Sequence, residues 1–210
     1  MQSHSSKLKR YSKIALTLTG FPAFGKVKHN PSEQVVENFK SQKTQIETGK
    51  TKIAQTEIIE VSCKQIDMAL TKLYSGLKTE KDTLNLFIFY GYDETVNSIS
   101  LETQAFNKIM EMAEETKILE SGPDCIKGKL PLNDIVKKIQ GKGIKCSLSE
   151  DPGNYVCNYI FYQSLIHFGG NENAASLFIH VPMLNVISLK DHVNFIKNFI
   201  QCVEEKLCTK

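Results

Sequence analysis

The spacing of apolar positions along the 210-residue chain changes repeatedly, and each change marks an element. Residues 13–19 carry Ile14, Ala15, Leu16 and Leu18 in a run stopped by Gly20, which predicts a buried strand. Residues 84–91 are apolar almost without interruption from Leu84 to Tyr90, a pattern suited to the centre of a parallel sheet. Residues 53–61 and 144–148 read as further strands. Residues 98–102 alternate, with Ile99 and Leu101 opposed to Ser98, Ser100 and Glu102. Residues 177–179 form a short buried strand that closes on His180 before Pro182 stops regular pairing. Between these runs the period lengthens. Ile66, Ala69, Leu70, Leu73 and Leu77 follow helical spacing within 63–77. Val35, Val36 and Phe39 give an apolar face to a helix opened by Pro31 and Ser32. Residues 130–140 and 189–207 read as two more helices, the first stopped by Gly141 and Gly143. Residues 108–120 are charged and only weakly amphipathic. Alternating strands and helices predict an α/β fold, a three-layer αβα sandwich on a mostly parallel, twisted sheet.

One junction concentrates chemistry. Asp151-Pro152-Gly153 is a turn, because Pro fixes φ and Gly tolerates unusual φ. Beyond it Val156, Tyr159, Ile160, Phe161, Leu165 and Ile166 lie largely on one helical face and its flanks. Cys157 therefore falls in the first turn of a buried helix. Unpaired N–H groups at a helix N-terminus favour negative charge and lower thiol pKa values. A thiolate is the nucleophile that acyl transfer needs. Free cysteines are usually buried and inert, so Cys157 taken alone reads as a core residue. His180 alters that balance. It ends a central strand, at the rim where open α/β sheets build their sites, and can meet a Cys at a helix start.

Composition narrows the class. Apolar residues make up 41% and charged residues 23%, ordinary values for a globular protein, and the net charge is only +3. No basic stripe with interleaved aromatics supports nucleic-acid binding. No run approaches the ~18 apolar residues of a transmembrane helix, and the basic N-terminus has no apolar signal core. Residues 1–12 are expected to be a disordered tail, and 13–210 a single domain. The six cysteines form no C-x-x-C pair and no zinc spacing, so they read as reduced thiols of a cytoplasmic protein without metal. The loop Gly20-Phe21-Pro22-Ala23-Phe24-Gly25 lacks both the G-x-G-x-x-G spacing and the Walker lysine, which excludes a phosphate cradle. Its two Phe are either a satellite of the core or an apolar clamp for a small flat ring. Asp93, Glu94 and Glu102 are all candidate carboxylates to orient His180.

Gly153-Asn154-Tyr155-Val156-Cys157-Asn158-Tyr159 followed by Phe178-Ile179-His180-Val181-Pro182 resembles the type I pyroglutamyl peptidases. In that family the Cys block carries the nucleophile and the His block its base, which implies these roles for Cys157 and His180. The Phe loop resembles the family's G-F-x-P-F-G, whose two Phe line the ring pocket, and so implicates Phe21 and Phe24. Pro22 here stands one position early, with Ala23 where the family has Pro. Asn30-Pro31-Ser32 matches the family's N-P-S block; Asn30 is more often a turn or cap residue than a ligand contact, and joins the substrate contacts because its loop adjoins the Phe pair. Tyr155 and Val156 join it by analogy. A family strand ending in Glu, with Asn five residues on, matches Glu102 and Asn107 and selects Glu102 as third triad member. Two departures stand out: Tyr92 and Asp93 replace the Gln and Arg of bacterial relatives, and 108–122 is shorter than usual. The resemblance implies a cysteine exopeptidase acting on peptides with N-terminal pyroglutamate. It needs no metal or cofactor, binds neither nucleic acid nor membrane, and is compatible with a homo-oligomer. The competing expectation is a non-catalytic relative that binds peptide or protein.

Overall fold

The computed structural model describes residues 8–42, 46–111 and 113–209. Its centre is a six-stranded sheet of β1 (Lys13–Gly20), β2 (Thr51–Ile58), β3 (Thr83–Tyr92), β4 (Ile99–Glu102), β9 (Cys146–Ser149) and β10 (Ala174–Val181), in the order β2-β1-β3-β10-β4-β9. Helices α1 (Pro31–Ser41), α3 (Leu132–Gly141) and α5 (Leu189–Leu207) cover one face, and α2 (Cys63–Ser75) and α4 (Val156–Phe168) the other.

The period of two along each strand decides what each face buries. On the α1/α3/α5 face lie Ile14, Leu16 and Leu18, then Leu86, Ile88 and Tyr90, then Leu177, Ile179 and Val181. Phe87, Phe89 and Phe178 point the other way and meet Ile66, Leu70 and Leu73 of α2 and Ile160, Phe161 and Leu165 of α4. The sheet is covered on both sides, which is why its strands read as nearly continuous apolar runs.

Three regions depart from the sequence expectation. First, β4 runs antiparallel to β10, while the other pairings in this sheet are parallel. Residues 93–98 connect β3 to β4, too short a link for the helical crossover that a parallel return requires. Second, 104–127 folds into two small ribbons, β5 (Gln104–Phe106) with β8 (Cys125–Lys127), and β6 (Ile109–Glu111) with β7 (Glu114–Thr116). Strands of three residues are too short to register as a periodicity. Third, the expected tail 1–12 ends sooner than expected. Residues 1–7 lie outside the described residues, but Tyr11 is fully buried in the α5-side core. It bridges to Cys208, its N–H donates to Leu207 O at 2.9 Å, and its hydroxyl donates to Glu172 O.

Candidate active site

His180 is the penultimate residue of β10 and faces the α2/α4 side, as its strand neighbour Phe178 does. It is only 4% exposed. Its backbone neighbour across the antiparallel pairing is Ser100. Two residues further along β4, on the same face, stands Glu102, 1% exposed. The Glu102 Oε1 accepts a hydrogen bond from His180 Nδ1 at 2.8 Å. Glu102 Oε2 has no hydrogen-bond partner among the described residues. A carboxylate this deeply buried is tolerable only beside a compensating positive group. With Nδ1 committed to the acid, Nε2 is the ring nitrogen left for other chemistry.

Cys157 is the second residue of α4 and is partly exposed. Its sulfur lies close enough to His180 for its charge to act on the imidazole. Burial by itself lowers the imidazole pKa. Hydrogen bonds and charge from Cys157 and Glu102 outweigh it and push the pKa up to about 10. Charge on these two neighbours thus favours the protonated ring. The other five thiols are pushed the opposite way from reactivity. Burial and then Glu111 raise Cys63 to about 12, burial raises Cys146 to about 11, and burial leads the upward shifts of Cys125, Cys202 and Cys208.

A glycine makes room for this arrangement. Gly91 pairs with His180 across the β3–β10 ladder. A Cβ there would lie 2.5 Å from the Phe178 ring and 3.6 Å from Cys157 Sγ. The Phe178 ring fills that notch and sits 4.7 Å, centroid to centroid, from the His180 ring. On its other side Phe178 meets Phe21 at 6.4 Å.

The expected substrate contacts divide. Phe21 is buried, whereas Phe24 is 38% exposed on a tight loop that it closes with Val27. Tyr155 is 62% exposed just before the first turn of α4, and Val156 packs partly on the α2/α4 core. Asn30 is a correction. It is fully buried, and its amide is committed to protein: Oδ1 accepts from Ser32 N at 3.0 Å and Ser32 Oγ at 2.8 Å, and Nδ2 donates to Pro22 O at 3.0 Å. Asn30 caps α1 and holds the Phe loop, and does not face a ligand. Asp93 is likewise committed, its Oδ1 accepting from Thr95 N at 2.8 Å and from Thr95 Oγ1. Of the three candidate carboxylates the structure brings Glu102 to His180.

Sequence reasoning passed over Gly91, Phe178 and Asn158. Asn158 carried the clearest signal, a fully buried amide in a helix whose neighbours Tyr159, Ile160, Phe161 and Tyr162 are all apolar or aromatic core.

The geometry accords with what the chain resembles. A family model described as pyroglutamyl peptidase matches residues 14–197. The pyrrolidone-carboxylate peptidase of Thermococcus litoralis is 29% identical over 175 residues, covering 79% of this chain and 74% of that protein. Its counterpart in Brevibacillus brevis is 30% identical over 183 residues, covering 80% and 78%. The crystal structure of pyrrolidone carboxyl peptidase from Fervidobacterium islandicum shares the fold, with a TM-score of 0.79 at 21% identity over 92% of this chain and 99% of that one.

Proposed function

The chain belongs to the pyroglutamyl peptidase family, and from that premise we propose that it removes the N-terminal pyroglutamyl residue from peptides with Cys157 as nucleophile, His180 as acid and base, and Glu102 as the group that holds and charges the imidazole. The observation that carries this reading is the meeting of three separated segments at one point. Glu102 and His180 share a 2.8 Å hydrogen bond, and the Cys157 sulfur lies 3.6 Å from where a Cβ would stand on Gly91, the residue paired with His180 across the ladder.

The steps follow from the charges. His180 takes the thiol proton of Cys157, and Sγ attacks the pyroglutamyl carbonyl carbon and forms a C–S bond while the carbonyl oxygen becomes an oxyanion. The backbone N–H of Cys157, unpaired in the first turn of α4, donates to that oxygen. Collapse breaks the C–N bond while the His180 imidazolium delivers its proton to the departing amine. Water then attacks the thioester, His180 takes its proton, and pyroglutamate leaves with the sulfur restored. Throughout, Glu102 keeps Nδ1 protonated and directs Nε2 at the reacting groups.

Phe21 and Phe24, with Tyr155 and Val156, supply apolar surface for the flat lactam ring. Contact of that kind is worth a few kcal/mol, roughly the scale of burying one side chain. A cyclised terminus carries no ammonium, so no carboxylate is needed to receive one. No observation favours a relative that only binds peptide, since the charged imidazole and its buried acid are costly features for a passive surface.

The test is hydrolysis of a fluorogenic pyroglutamyl amide by purified protein in reductant, with the prolyl amide as comparison. Proline lacks the ring carbonyl, so kcat/KM should strongly favour the pyroglutamyl compound. Equal values would remove the substrate assignment, and no hydrolysis of either would remove the activity.

A further inference from the structure

We propose that Asn158, the residue after the nucleophile, is the positioning residue of this reaction: it clamps the first turn of α4 from outside, so that the turn needs no cap and keeps its N–H groups free for the substrate oxygen. The inference rests on the role given to Cys157 above.

The first intrahelical bond of α4 runs from Tyr159 N to Tyr155 O at 3.0 Å. The N–H groups of Val156, Cys157 and Asn158 thus have no partner within the helix. In α1, α2 and α5 a side chain takes up one such group: Asn30 accepts from Ser32 N, Ser62 from Gln65 N, and Ser188 from Asp191 N, while α3, which follows Pro131, has no side-chain cap. At α4 the preceding residue is Tyr155, and it makes no side-chain cap. A capping side chain accepts from the second or third N–H of a helix. In α4 those are the N–H groups of Cys157 and Asn158, the pair best placed to stabilise an oxyanion. Capping and catalysis compete here for the same donors.

An uncapped first turn frays, and fraying would displace the sulfur from His180. Asn158 supplies the missing restraint without touching the contested groups. Its Oδ1 accepts from Phe106 N at 2.8 Å, and its Nδ2 donates to Phe106 O at 2.8 Å and to Lys108 O at 2.7 Å. The side chain is fully buried, and both of its donor hydrogens are in use. A second tie lies close by, from Met110 N to Asn154 O at 2.6 Å. The segment that Asn158 grips leaves β4 directly after Glu102, so one side chain joins the carrier of the nucleophile to the carrier of the acid.

Asn158→Ala, Asn158→Asp and Cys157→Ala test this, with kcat and KM on a pyroglutamyl amide, the iodoacetamide rate of Cys157 across pH, and the thermal melt. Asn158→Ala should lower kcat about 100-fold, the scale of a 1 Å misplacement, with KM little changed. Alkylation of Cys157 should slow and its pH profile shift, because the sulfur no longer sits against the imidazolium. Asn158→Asp keeps the acceptor but sets a buried carboxylate oxygen against the carbonyls of Phe106 and Lys108, so its loss in kcat should be at least as large as that of Asn158→Ala. A cooperative melt accompanied by wild-type kcat and wild-type alkylation in either variant overturns the inference. Failure of both variants to fold also overturns it, in favour of a purely structural clamp. If Cys157→Ala stays active, it is the nucleophile assignment that fails. If Cys157→Ala is inactive and the Asn158 variants behave as wild type, only the present inference fails.

Discussion

Helices α1 and α4 both begin beside the strand ends that hold the candidate site, on opposite faces of the sheet, and their first turns are secured by opposite means. At α1, Pro31 follows Asn30, whose amide satisfies Ser32 N and also reaches Pro22. Everything polar there is spent on structure. Gly20 packs against the same turn so closely that a Cβ on it would lie 2.6 Å from Ser32 O. At α4 the residue before the helix contributes no cap, and the restraint comes from Asn158 inside the first turn. Both junctions are hydrogen-bonded, and both carry a fully buried Asn near the helix start. What separates them is the fate of the backbone N–H groups, used at α1 and left available at α4. A family block such as Asn-Pro-Ser can therefore recur for stability alone, while a neighbouring block recurs for chemistry.

The largest test of that contrast removes the sulfur. Cys157→Ala should reduce kcat by about 10⁴-fold or more, as loss of a triad nucleophile does, with little change in melting temperature. Residual activity near wild type would erase the distinction between the two helix starts. Glu102→Gln comes next. Loss of the buried carboxylate should cost about 10³- to 10⁴-fold in kcat, as for other triad acids. It should also move the alkaline limit of kcat/KM downward. The sign follows from the cause: Cys157 and, after it, Glu102 raise the His180 pKa, so removing the Glu102 charge lets the imidazolium deprotonate at lower pH. An unmoved alkaline limb would mean that Glu102 does not set the charge of His180.

A cap can also be added where none exists. Tyr155→Ser and Tyr155→Ala both delete the exposed ring, but only Ser offers an oxygen to the N–H of Cys157 or Asn158. Relative to the Ala variant, the Ser variant should be more stable by about 1 kcal/mol and slower in kcat by about 10-fold or more. Higher stability with equal kcat would show that the first-turn donors take no part. Asn30→Ala is the mirror experiment. Unfolding free energy should fall by about 1–3 kcal/mol, the cost of a lost cap and unpaired buried groups, while kcat changes less than in any of the variants above. The smallest effect lies on the far face, where His192 Nδ1 meets the Tyr90 hydroxyl at 2.8 Å. Burial, opposed by Asp191, lowers its pKa from 6.5 to about 4. A depressed histidine contributes stability that is fully present above 6.5 and is lost as pH falls toward 4, up to about 3 kcal/mol. His192→Gln should flatten that acid limb of the denaturation profile without altering kcat at neutral pH.

The sequence exposed most of the sheet because its strands are buried on both faces and carry unbroken apolar runs, as in residues 84–91. The three groups at the site were legible through family blocks, and for Glu102 through an alternation that set it opposite Ile99 and Leu101. Other features had no local signature. The reversal of β4 follows from the length of a loop and from which strand lies between β3 and β4, and neither is written in periodicity. Phe21 and Phe24 are the same residue type in one loop, yet one is core and the other faces solvent, a difference set by the path of the backbone. Asn30 reads first as a turn or cap residue and only second as a ligand contact, and it does cap Ser32 N; a family block alone does not distinguish capping from recognition. Tyr11 sits in a polar, basic stretch, and only the packing of α5 accounts for its burial.

The position of β10 bears on the order in which the protein can assemble. It is the last strand in the chain, yet it lies between β3 and β4 in the middle of the sheet. Until residues 174–181 leave the ribosome, β3 and β4 have no shared neighbour, and both present raw pairing edges. On the β10 side the strand that carries Glu102 is held by two backbone pairs, Ile179 with Leu101 and His180 with Ser100, and on its other side by β9. A slip of one residue there would turn Glu102 to the opposite face of the sheet. A nascent chain can thus hold most of its helices and strands and still be inert. Turnover, more than helical content, reports that the final strand has threaded into its slot in the correct register.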